Sequence, residues 1–188
     1  MPISLDPLTG TLPRGRYLCD LADLKAEFVD SPWASASSTR REIWDHFERT
    51  RELYKDVDPK LATAAWVGGS FTTTRLDPDD IDVTFLLDGS LYAALSNSQK
   101  KKVSRLAARD AGNVSHLRSK LGYRIDCFAL IVELVAMPWK NTTTEEDTYF
   151  RLRGVWDDFW QRQRGGAKDD PPTRSDAEAV RGYFEVLL

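Results

Sequence analysis

Apolar positions along this chain switch between a helical and an alternating period, and the switches predict its elements. Leu21, Leu24 and Phe28 share a helical face, so Asp20 to Val29 reads as a short helix ended by Ser31-Pro32. Ile43, Phe47 and Tyr54, with Trp44 beside them, predict a longer helix after Ser38 or Thr39, stopped by Asp58-Pro59. Leu61 to Val67 is a run of small and apolar residues, read as a central strand that breaks at Gly68-Gly69-Ser70. From Asp80 the pattern alternates strictly. Ile81, Val83, Phe85 and Leu87 point one way and Asp80, Asp82, Thr84 and Leu86 the other, until the turn Asp88-Gly89-Ser90.

Beyond that turn, Leu91 to about Asp110 reads as a helix with Lys102, Arg105 and Arg109 on one stripe and Val103, Leu106 and Ala107 on another. Gly122 precedes a further strand, Tyr123 to about Glu133, closed by Met137-Pro138. Thr143 and Glu146 form a capping-box pattern that opens a helix whose face carries Tyr149, Leu152, Trp156, Phe159 and Trp160. Arg164-Gly165-Gly166 ends it, Ala167 to Arg174 with Pro171-Pro172 is a loop, and Gly182 to Leu188 is a last strand. Pro2, Pro7, Gly10, Pro13 and Gly15 make the first twenty residues an extended lead-in. The order α-α-β-β-α-β-α-β predicts an α+β fold, with helices covering a mixed sheet. A single domain over residues 1–188 is expected, with a lead-in at 1–37, a core at 60–135 and a closing helix and strand at 143–188.

Composition narrows this only slightly. Apolar residues at 41% and charged residues at 29% are ordinary for a globular chain. The net charge of -3 supplies no global field for nucleic acid. Cys19 and Cys127 are too few for a disulfide framework or a cysteine zinc site. The N-terminal residues lack the basic-then-apolar pattern of a signal peptide, and no apolar run approaches the ~20 residues that cross a bilayer. A cytoplasmic protein without a membrane partner is the expectation.

The chemistry concentrates in WVGGSFTTTRLDPDDIDVTFLL, residues 66–87. Asp80 and Asp82, two apart on a strand, share a face about 7 Å apart. Two ionised carboxylates on an apolar element are costly unless a cation or hydrogen bonds compensate. Hard oxygen ligands so placed suit Mg²⁺, which takes one or two carboxylates and completes its shell with substrate phosphates. Asp126 sits inside the apolar run Ile125-Asp126-Cys127-Phe128. If its strand lies beside that of Asp80 and Asp82, the trio can hold two metals about 4 Å apart for in-line phosphoryl transfer. Gly68, Gly69 and Ser70 let backbone N–H groups approach a phosphate at the start of an expected helix, and Arg75 offers a cation.

These residues resemble the signature of the polymerase-β-like nucleotidyltransferase superfamily: an apolar strand, Gly69-Ser70, the gap Phe71 to Asp79, then Asp80-Ile81-Asp82 on the next strand. The third carboxylate of that pattern falls on Asp126. The resemblance implies the mixed-sheet minimal core of that superfamily, two Mg²⁺ ions with Mn²⁺ as a substitute, and transfer of a nucleoside monophosphate from a nucleoside triphosphate such as ATP. The acceptor is expected to be RNA, a protein hydroxyl or a small molecule, and a protein partner is expected alongside. More loosely, the chain is similar to small bacterial and phage proteins of this superfamily, through Leu12-Pro13-Arg14-Gly15-Arg16-Tyr17 and the late Phe159-Trp160 helix. That likeness implies a phage-defence or toxin–antitoxin setting. The short toxin–antitoxin members often carry Arg-Gly after Gly-Ser, whereas this chain reads Phe71-Thr72-Thr73-Thr74-Arg75.

Plainer readings stand beside these. Asp77-Pro78-Asp79-Asp80 forms a solvated acidic turn on one reading, although that leaves Asp82 unexplained. Asp126 pairs with Arg124 or another basic residue on another, with Glu133 as an outside candidate for the third acid. Lys100 to Arg124 holds eight basic residues (Lys100, Lys101, Lys102, Arg105, Arg109, Arg118, Lys120, Arg124) against Asp110. Such a run is a solvated face or a contact for RNA phosphates or a triphosphate tail. His46 and His116 lack a second ligand at metal spacing, and the late aromatic stripe reads as core. A fold retained as a binding module (antitoxin, regulator or nucleotide sensor) is the alternative to an enzyme. A nuclease-like metal site on the same acids is a third reading.

Overall fold

The computed structural model describes residues 4–108, 115–166, 171 and 173–188. Five strands among these residues form one sheet: β1 (Gly15–Cys19), β2 (Ala62–Gly68), β3 (Ile81–Asp88), β4 (Ile125–Val132) and β5 (Gly182–Leu187). Their order across the sheet is β1-β5-β2-β3-β4. β2 runs antiparallel to both β3 and β5, whereas the β1–β5 and β3–β4 pairs are parallel. The fold is therefore α+β with a mixed sheet.

Both faces of the sheet are covered. Helix α1 (Leu21–Lys25) continues into one π-helical turn, Ala26–Asp30, and α2 (Arg40–Lys55) follows. The buried α2 face, Ile43, Trp44, Phe47 and Tyr54, packs with Val67, Val83, Phe85, Cys127 and Phe184 in the larger core. On the opposite face α6 (Thr144–Trp160) lays Tyr149, Trp156 and Trp160 against Trp66, Leu86, Phe128, Leu130 and Tyr183. The alternation predicted for β3 follows this division, with odd positions toward α2 and even positions toward α6. Trp160 Nε1 donates to Thr84 Oγ1 at 3.0 Å, which satisfies the one hydroxyl buried on that face of β3.

Several expectations need correction. The lead-in is not wholly extended coil, because Gly15–Cys19 joins the sheet as its edge strand against β5. The single helix expected from Leu91 to about Asp110 is two, and a third helix follows where none was expected. α3 (Gly89–Ala94) stops at Leu95, α4 (Asn97–Leu106) restarts from a Ser96–Gln99 capping box, and α5 (His116–Leu121) starts from Ser115. The segment after Gly69 is no helix but one 3-10 turn, Ser70–Thr72, because the loop beyond it is drawn away by Arg40. Arg109 and Asp110 and most of the loop expected at 167–174 lie outside the described residues. No helix among the described residues is long and apolar enough to cross a membrane.

Candidate functional site

Strand register assembles the site. Gly68 on β2 pairs with Asp82 on β3, and Asp82 pairs with Asp126 on β4. Partners in register share a face, so the three form one row across the sheet on the α6 side. Asp80 precedes β3 at the same end and is buried, 9% exposed. Trp160 closes the row from below, for a Cβ on Gly68 would stand 3.1 Å from its ring.

The glycine bend is shaped by the carboxylate beside it. Gly69 adopts φ +72°, in the left-handed range that favours glycine, and a Cβ there would lie 1.6 Å from Asp82 Oδ2. The backbone of Gly69 therefore lies directly against the Asp82 carboxyl group. Ser70 follows, with its carbonyl accepting from Thr73 Oγ1 at 2.8 Å and its hydroxyl free of hydrogen bonds among the described residues. Arg75 stands further along the exposed loop, where Nη2 meets Asp79 Oδ2 at 3.0 Å.

Among the described residues, Arg118 and Arg181 act on the acids. Arg118 on α5 donates from Nη1 both to Asp80 Oδ2 and to Asp126 Oδ1, the latter at 3.0 Å. Arg181, next to β5, is half-buried and close enough to Asp82 to favour its charged form, and among the described residues its buried Nε has no hydrogen-bond partner. Burial lowers the Arg181 pKa while the Asp82 charge opposes that shift. Asp82 is pushed up to about 7, first by burial and then by the like charges of Asp80 and Asp126, with Arg181 and Arg118 opposing.

A cavity of about 380 Å³ adjoins the acids, lined by Asp79, Arg118, Gly122, Tyr123 and Arg124. Arg124 is fixed there by Glu42, Nε to Oε2 at 3.0 Å, and its backbone N–H donates to His46 Nδ1 at 3.1 Å. His46 stacks on Tyr123 with ring centroids 4.6 Å apart, so it packs as expected rather than standing free.

A family model described as a family of unknown function (DUF6932) matches residues 4–183. The chain belongs to that family. Curated proteins and solved structures return no match. The description of DUF6932 carries no activity, so chemistry in this member rests on the residues themselves.

Of the predicted residues, Asp80, Asp82, Asp126, Gly68, Gly69 and Ser70 meet at one end of β2, β3 and β4. Asp126 pairs with a basic residue as the plainer reading expected, but the partner is Arg118 rather than Arg124. Glu133 follows the far end of β4, about 20 Å along the strand from Asp126, and takes no part. Among the described residues no three His, Cys, Asp or Glu side chains are drawn together at metal-ligand distances. The Arg118 guanidinium stands between Asp80 and Asp126 instead.

Three arginines escaped the sequence reading. Arg118 stands in the basic run that reads as a solvated face or a phosphate contact, with no signal pairing it to the acids, and Arg181 stands in a loop-to-strand junction. Arg40 is the first residue of α2. It is 1% exposed and donates to the carbonyls of Phe28, Phe71, Thr73, Leu76 and Arg75, and so holds the loop that follows the glycine bend. Burial lowers its pKa to about 10, with Asp77 opposing. The available signal was the Thr-rich loop itself, whose carbonyls need donors once it packs against the core.

Proposed function

We propose that the protein is a divalent-metal-dependent nucleotidyltransferase built on a polymerase-β-like core. One observation carries this reading: Gly68, Asp82 and Asp126 stand in register on three adjacent strands, with Asp80 beside them and Gly69 bent against Asp82. The carboxylates fit a hard divalent cation by donor type and by charge. Burial first, and then the like charges of Asp80 and Asp126, lift Asp82 well above its ordinary carboxylate range, and a cation on the same oxygens would offset both.

Asp80, Asp82 and Asp126 would hold Mg²⁺ or Mn²⁺. When bound, such ions neutralise phosphate charge and lower the pKa of an attacking oxygen. Gly69 and Ser70 then present backbone N–H groups and a free hydroxyl to the outer phosphates of a nucleoside triphosphate. Asp126, with about a third of its side chain exposed at 32%, is the acid an acceptor hydroxyl can reach, and it takes the proton of that hydroxyl. The acceptor belongs to the classes named above: RNA, a protein hydroxyl or a small molecule.

The test is transfer of label from each α-labelled nucleoside triphosphate, with Mg²⁺, to components of a cell extract. Asp82→Asn should abolish labelling while leaving a cooperative unfolding transition. Labelling that survives this substitution removes the catalytic assignment.

A second reading, a non-catalytic binding module, is favoured by Arg118, which already neutralises part of the acidic site. It predicts nucleotide or partner binding that persists in Asp82→Asn, with no turnover by the unmodified protein.

A further inference from the structure

The backbone and the side chain of Arg118 are held by different neighbours. Ser115 caps α5, its hydroxyl accepting from the Arg118 N–H at 3.4 Å, so the helix turn is anchored independently of the acids. The side chain crosses to β3 and β4, where one nitrogen, Nη1, serves both Asp80 and Asp126. The Arg118 side chain stays 30% exposed and lines the 380 Å³ cavity.

A guanidinium supplies one positive charge to two carboxylates. A divalent cation on the same oxygens supplies two, without demanding a planar fork. The two cannot use the same lone pairs at once, so they compete. An Arg118 side chain displaced from the acids has the adjoining cavity to enter, because it already lines that cavity. There it meets Arg124, which Glu42 holds in place. Two arginines in one polar cavity form an anion site, and guanidinium geometry matches phosphate oxygens.

We propose that Arg118 is an exchangeable counter-ion. A divalent cation replaces it on Asp80 and Asp126, and the freed guanidinium binds the phosphates of a metal–triphosphate chelate in the cavity lined by Asp79, Tyr123 and Arg124. This rests on the divalent-metal reading given above. It adds that the cation and the phosphates bind cooperatively through one side chain, because the first ligand releases the group that the second needs.

The experiment is calorimetric titration of the full chain, first with Mg²⁺ alone and then with tripolyphosphate in saturating Mg²⁺. Arg118→Gln should bind Mg²⁺ about tenfold more tightly than the unmodified protein and tripolyphosphate about tenfold more weakly. Arg118→Lys, which keeps the charge but loses the fork, should fall between them. It carries the comparison if circular dichroism shows that Arg118→Gln is unfolded. Mg²⁺ affinity that is unchanged or weaker in these variants overturns the exchange, and unchanged tripolyphosphate affinity does so equally. Absence of Mg²⁺ binding in every form, including Arg118→Gln, removes the metal site itself and the exchange with it. That outcome is distinct from a site that binds metal without competition.

Discussion

A Cβ placed on Gly69 would stand 1.6 Å from Oδ2 of Asp82, so the bend that ends β2 and the carboxylate on β3 occupy space as one steric unit. Gly69→Ala must therefore move the carboxyl group and also strain a backbone at φ +72°. The expected cost is about 2–4 kcal/mol, read as a shift in urea midpoint, together with loss of nucleotide transfer.

Gly154 is the matched control. It lies inside α6, and a Cβ there meets nothing within 4 Å. Gly154→Ala should stabilise the protein by about 0.5–1 kcal/mol through helix propensity, with unchanged transfer. Destabilisation at this position would show that the outer face of α6 is covered.

The carboxyl of Asp82 gives a pH signature. Its folded pKa, about 7, lies above the ordinary value of 3.8, so the folded chain binds a proton that the unfolded chain releases. Its contribution to stability is complete below about pH 4 and is lost as pH rises through 7. Metal-free protein should accordingly melt at a lower temperature at pH 8 than at pH 6. Asp82→Asn should flatten this slope, and Mg²⁺ should restore stability to the unmodified protein at pH 8. Parallel melting curves for the two proteins across this range would contradict the assignment.

Arg40 makes a structural prediction. Its guanidinium serves five carbonyl oxygens from inside the core, and it also lies over the rings of Trp33 and Phe71. Arg40→Lys has three donors and no plane, so it leaves carbonyls unsatisfied and should cost about 2–4 kcal/mol. Limited proteolysis should then cut first between residues 71 and 77, and an unchanged cleavage pattern would show that the loop is held by other contacts.

The cysteines should differ in reactivity. Burial pushes the Cys127 thiol up to about 12, and it lies against Tyr54 inside the core. Cys19 is half-buried on an edge strand and is raised to about 11, first by burial and then by Asp23. Iodoacetamide at neutral pH should label Cys19 slowly and Cys127 only on unfolding, as mass spectrometry of tryptic peptides can establish.

What could be read in advance follows from how local each signal is. The alternation of β3, the aromatic face of α6 and the Thr143–Glu146 cap lie within single elements, and they match the structure except at Phe159, which is exposed rather than core. β1 escaped notice because five residues behind three prolines carry little pattern, and they become a strand only when β5 presents its edge. The break between α3 and α4 was legible as Ser96 three residues before Gln99, yet the basic stripe concealed it. Asp80, Asp82 and Asp126 stood out because charge interrupted apolar runs. Their arginine partners did not, because basic residues on helices and at loop ends are ordinary, and only the folded sheet shows which of them turns inward.

The strand order has one more consequence. β1, made first, hydrogen-bonds to β5, made last, and β5 alone separates it from β2. Until residues 182–187 emerge during synthesis, the earliest strand has no neighbour, and the Ala64–Val67 edge of β2 stays bare. The beginning and the end of this fold are thus fastened to each other, and a cut that removes either would leave a raw sheet margin to recruit strands from other molecules.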